Sequence, residues 1–155
     1  MVAALDTTVV VDASVWVSWL ITTDVNHDAS LTWMERYIAD GGFLVAPALM
    51  LVEVAAAISR QMGEIALAKE TAKNLDTANE IRIVPLDTSL VWSAVEVAAD
   101  LKLRTGDATY VAIARQLNIP LVSWDKEQLQ RAANLVATYT PGDYAFLGEG
   151  TDDNS

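Results

Sequence analysis

The sequence predicts an α/β protein: a three-layer α/β/α sandwich around a central, mostly parallel five-stranded sheet. Three observations point there. Short β-branched or apolar runs, such as Thr8-Val9-Val10-Val11, alternate with longer stretches of helical spacing. Strands separated by helices pair in parallel through right-handed crossovers. The chain has 155 residues and is 52% hydrophobic, which suits one domain and is too apolar for a disordered acidic chain.

The elements follow in order. Thr8–Val11 is a buried strand, and Asp12 stands at its carboxyl end, where it can cap the next helix. Asp28–Ala39 carries Leu31, Met34 and Ile38 at helical spacing and ends at Gly41-Gly42. Phe43–Ala46 is a second strand, closed by Pro47. A helix runs from Ala48 to Met62 and stops at Gly63; its continuation, Glu64–Asn79, has one solvated face. Ile81–Leu86 is a third strand and Thr88–Leu103 a helix. Thr105-Gly106 breaks the helical run, and Asp107 opens another that reaches Asn118. Ile119–Trp124 is the fourth strand with Asp125 at its end, Lys126–Asn134 a short helix, and Leu135–Tyr139 the fifth strand. Residues 1–140 thus form one domain, and 141–155 a polar, partly disordered tail.

Composition removes whole classes of function. There are 21 acidic and 10 basic side chains, one histidine and no cysteine, for a net charge of -11. No disulfide, thiolate nucleophile, Cys-ligated zinc or iron–sulfur cluster is possible, and His27 alone cannot build a His₂ metal site. Zero cysteine fits a reducing cytoplasm. Residues 1–20 hold no Lys or Arg, so they lack the basic start of a signal peptide. The apolar run Phe43–Val52 ends at Glu53, short of the ~20 residues of a membrane helix. A cytoplasmic protein with no membrane association is expected.

In an open α/β sheet, ligands bind beyond the carboxyl ends of the strands. Asp12 and Asp125 lie there, although each also suits a helix cap. Glu53 interrupts Leu49-Met50-Leu51-Val52 and Val54-Ala55-Ala56-Ala57, so every face of its helix nearby is apolar. A buried carboxylate is costly without a partner, and the structural alternative is an ion pair with Arg60. Asp107 has Tyr110, Val111 and Ala114 on its face, though an acid also suits a helix N-terminus. Together the four suggest converging carboxylates that raise one another's pKa and persist when a hard cation neutralises them. Mg²⁺ and Mn²⁺ favour such oxygen ligands. Such a cation lowers the pKa of bound water and clamps the attacking and leaving oxygens of an in-line phosphoryl displacement.

The ordered pieces Val-Val-Asp12-Ala-Ser14, Leu-Val-Glu53-Val, Thr-Gly-Asp107-Ala-Thr-Tyr-Val-Ala and Pro-Leu-Val-Ser123-Trp-Asp125 resemble the PIN-domain family. Within it they look like the VapC-like toxins of prokaryotic toxin–antitoxin pairs. The resemblance spans about Val9 to Tyr139. It implies a ribonuclease dependent on Mg²⁺ or Mn²⁺, with Asp12, Glu53, Asp107 and Asp125 as the metal-binding and catalytic acids. Ser14 and Ser123 match hydroxyl residues that support the site. It further implies an RNA substrate, a homodimer and a cognate antitoxin.

Three other readings compete. An Asp-based phosphatase would carry Asp-x-Asp after the first strand, where this chain has Asp12-Ala13-Ser14. A receiver domain would carry a lysine after the last strand, and Thr138–Gly142 holds none. A catalytically silent PIN-like interaction module would have no use for four mutually repelling acids. The basic residues Arg60, Lys102, Arg104, Arg115 and Lys126 are each expected to be solvated surface charges. Trp16, Trp19, Trp33, Trp92 and Trp124 are expected to pack the core or a dimer interface rather than stack bases, and His27 to be a surface loop residue. Asp87 and Asp143 fit caps or turns.

Overall fold

The computed structural model describes residues 7–144 and 146. β1 (Thr8–Val11) leads into α1 (Ala13–Leu20) and α2 (His27–Ala39), then β2 (Phe43–Pro47), α3 (Leu49–Met62), α4 (Ile65–Thr77) and β3 (Ile81–Val84). α5 (Thr88–Leu101) and α6 (Thr105–Leu117) precede β4 (Leu121–Val122), α7 (Lys126–Ala132) and β5 (Thr138–Tyr139). The sheet order is β3-β2-β1-β4-β5, and every pairing is parallel. Val10 on the central strand faces Val45 on one side and Leu121 on the other.

The packing explains the apolar runs. Val9, Val10 and Val11 are almost wholly buried because β1 is covered on both faces. α1 packs on α2 and α3, and α3 on α4; α5 and α6 form a second pair, with α6 lying on β1, β2 and β4. Right-handed crossovers place these two groups on opposite faces of the sheet. α6 is buried from Ala108 to Ala114 without a break, and its alanines permit close approach to the strands. No helix among the described residues is long and apolar enough to cross a membrane.

Several expected boundaries move. α6 begins at Thr105, so Thr105-Gly106 forms its first turn instead of interrupting the chain. α5 ends at Leu101 because Lys102 turns into the left-handed region, φ 55°. β4 and β5 shrink to two residues each. His27 opens α2 instead of sitting in a loop, and its half-buried ring donates from Nδ1 to the Ser18 carbonyl at 2.9 Å.

The start of the expected polar tail is packed. Tyr144 meets Trp33 and Tyr37 edge-on at 5.7 Å each and Tyr139 at 5.5 Å. The Arg36 guanidinium lies 4.1 Å over the Phe146 ring. Residues 147–155 of that expected tail lie outside the described residues.

Candidate active site

β1 is the strand at which the chain order reverses: β2 follows on one side and β4 on the other. Such a switch point opens a crevice at the carboxyl ends. Asp12 sits there, 4% exposed, with its N–H donating to the Val122 carbonyl at 2.9 Å. Its Oδ2 accepts from Ser14 N at 3.0 Å, capping α1. Asp125 is half-buried beyond β4 and accepts from Gln128 N at 3.1 Å, capping α7. Both strand-end acids are therefore caps as well as crevice residues.

Glu53 projects from α3, half-buried, and the Tyr110 hydroxyl of α6 donates to its Oε1 at 3.0 Å. Its hydrogen-bonding partner is thus a buried tyrosine, and Arg60 instead shares an open cleft of ≈ 580 Å³ with Glu53, Ala56, Ala57 and Gln61. Burial pushes the Glu53 carboxyl up to about 7; the Tyr110 bond opposes this, and Asp12 and Asp107 add repulsion. Asp107, in the first turn of α6, is raised to about 6, first by burial and then by Asp12 and Asp125, with Arg104 opposing and Glu127 adding. These causes place the four expected acids in one electrostatic neighbourhood.

The two serines join it. Ser14 Oγ accepts from Trp124 N at 3.0 Å and lies 3.3 Å from Ser123 Oγ. Ser123, fully buried, accepts from Asp125 N at 3.0 Å. The residue that sequence reasoning missed is Gln128. It is fully buried and touches Asp12, Ser123 and the Asp107 carbonyl. One signal was present: Asp125-x-x-Gln128 has the spacing of a capping box.

Four carboxylates are hard oxygen donors, and Mg²⁺ or Mn²⁺ would offset both the burial that chiefly raises Glu53 and Asp107 and the repulsion that adds to it. The donor chemistry fits such a cation. The arrangement is looser than a finished coordination shell: among the described residues no group of three or more His, Cys, Asp or Glu side chains is placed to hold a metal ion. Of the basic residues, Arg104 acts on Asp107 and Arg60 lines the Glu53 cleft. Arg115 pairs with Glu96 at 3.3 Å. Trp16 and Trp33 are core residues, Trp19 and Trp124 pack against the core, and Trp92 is 65% exposed.

Residues 9–135 match the PIN domain. The chain belongs to the PIN domain family. No curated protein matches it. Among solved structures, this PIN domain is similar to VapC20 of Mycobacterium tuberculosis, described as a sarcin–ricin loop cleaving toxin. The TM-score is 0.68 at 21% identity, over 83% of this chain and 96% of that one. FitAcB from Neisseria gonorrhoeae gives 0.66 at 15% identity, over 88% and 99%. VapBC2 from Rickettsia felis, described bound to a DNA fragment from its promoter, gives 0.64 at 12% identity, over 86% and 98%. At these identities the likeness is one of fold.

Proposed function

We propose that this PIN domain is a metal-dependent endoribonuclease, the cytoplasmic toxin of a type II toxin–antitoxin pair, acting as a homodimer. The observation that carries the reading is that Glu53 on α3 and Asp107 on α6, raised first by burial, also feel the repulsion of Asp12 at the end of β1, and Asp107 that of Asp125 beyond β4. Acids that repel one another in a half-buried crevice weaken the fold unless a cation joins them. Asp12, Glu53, Asp107 and Asp125 would hold Mg²⁺ or Mn²⁺, which supplies Lewis acidity for in-line displacement at an RNA phosphodiester.

The chain's own residues have separable tasks. Tyr110 fixes Glu53 by its 3.0 Å hydrogen bond. Ser14 and Ser123 tie the end of β4 to the start of α1. Arg104 and Arg60 place positive charge beside acids in a chain of net charge -11, so RNA would be gripped locally. The description of VapC20 as a sarcin–ricin loop cleaving toxin supports RNA as the substrate class. The family's toxin members support a cognate antitoxin as partner. Exposed Leu86, Val91, Trp92 and Val95 support a covering second copy.

One observation favours the alternative, a catalytically silent PIN module: no three of the acids are placed around a common point among the described residues. Metal response separates the two. Mn²⁺ should raise the melting temperature of the wild type, and Asp107→Asn should remove most of that gain. RNA cleavage should cease in EDTA. Cleavage that persists in EDTA, or an unchanged metal response in both Asp12→Asn and Asp107→Asn, would overturn the proposal.

A further inference from the structure

We propose that Gln128 is a positioning residue that sets the orientation of the Asp12 carboxylate and the seat of α6 beneath Asp107, and thereby the cation affinity of the site. The inference rests on the metal-dependent reading above and assigns a role to a residue outside the acidic quartet.

Gln128 is fully buried, and each polar group of its amide has a partner. Nε2 lies 3.2 Å from Asp12 Oδ1 and 3.2 Å from the Asp107 carbonyl oxygen. A carboxylate and a carbonyl only accept, so the NH₂ end must face them. Oε1 then faces Ser123 Oγ at 2.7 Å, the shortest contact that hydroxyl makes. A serine hydroxyl has one proton, and this contact takes it. The 3.3 Å approach of Ser123 Oγ to Asp12 Oδ2 is left without a proton of its own. Gln128 and the Ser14 N–H are consequently the donors that fix Asp12, one on each oxygen.

The local sequence frees Gln128 for this task. In a full capping box the Gln side chain would turn back to the N–H of the cap residue. Here the Asp125 N–H is already bound to Ser123 Oγ at 3.0 Å. Only half of the box forms, through Asp125 Oδ1 and Gln128 N at 3.1 Å, and the side chain turns inward to join β1, β4 and α6. A neutral donor is what the place requires, since a glutamate would set a fifth carboxylate against Asp12 and Asp107.

The test uses the full chain and Mn²⁺ alone, read by titration calorimetry. Gln128→Met keeps length and apolar bulk and removes both donors. It should melt cooperatively and bind Mn²⁺ about 10- to 100-fold more weakly, as removal of an outer-shell partner does. Gln130→Met, at an exposed site on the same helix, should bind as the wild type does. Equal affinity in Gln128→Met and wild type would overturn the inference. If Gln128→Met fails to fold, Gln128→Asn, which keeps the amide but withdraws it by a methylene, takes its place with the same two outcomes. A second readout needs no metal: the Gln128 Nε2 protons should exchange slowly by NMR and shift in Asp12→Asn. Rapid exchange would overturn the positioning role. A wild type that binds no Mn²⁺ would overturn the proposed function instead, and the NMR result would then decide the role of Gln128.

Discussion

Glu53 and Asp107 hold their protons to about pH 7 and pH 6, against ordinary values of 4.5 and 3.8. Between roughly pH 4 and pH 7 the folded chain binds protons that the unfolded chain has released. The stabilisation is complete below the unfolded values and is lost as pH rises through the folded ones. Without divalent cation, the melting temperature should fall from pH 5 to pH 8, measured by calorimetry. Asp107→Asn should flatten that slope and raise the melting point at pH 8. Tyr110→Phe removes a donor that favours the charged form of Glu53 and should cost about 1 kcal/mol at pH 8 by denaturant unfolding. At this scale the sequence is informative where a residue violates its surroundings. Glu53 among apolar neighbours signals a partner, but that the partner is Tyr110, 57 positions away, depends on how α3 meets α6. Gln128 violates nothing around it in sequence: beyond its capping-box spacing from Asp125, a glutamine in a short polar helix looks solvated until β1 and α6 close over it.

At the scale of elements, alternation and punctuation carry most of the fold. β1, β2 and the stop of α3 at Gly63, φ 68°, follow directly from β-branched runs and a left-handed cap. The start of α6 does not, because a glycine that looks like a breaker is absorbed into a first turn. A Cβ on Gly106 would meet only Glu53 Oε2, at 3.5 Å, an ordinary contact. Gly106→Ala should therefore stabilise by about 0.5 kcal/mol through lost unfolded-state freedom. Gly42→Ala should act oppositely, since its Cβ would lie 2.7 Å from the Tyr37 carbonyl oxygen and closer still to the ring. Equilibrium unfolding of the two variants checks the contrast. β4 and β5 are shorter than their apolar runs because only two residues of each pair with a neighbour.

For the whole molecule, the acidic surplus and the apolar surface define how partners approach. A charge of -11 leaves little long-range attraction for RNA, so under the proposed function local contacts near Arg60 and Arg104 would carry the binding. Trp92, 65% exposed beside Val91 and Val95 on α5, is the natural seat of the proposed homodimer. Trp92→Asp should give a monomer in sedimentation velocity while leaving the fold intact; an unchanged sedimentation coefficient would place the interface elsewhere. The strand-end position of Asp12 and Asp125 was legible from their place after apolar runs, because parallel topology carries such ends to one edge. Their spacing relative to Glu53 and Asp107 was not, since it depends on the register of helices across that edge. Under the proposed function these four acids hold one cation site. A Mn²⁺-soaked crystal decides the point: an anomalous peak should lie between Asp12, Glu53, Asp107 and Asp125, with the carboxylates drawn in, and a crevice without a peak would contradict a shared site.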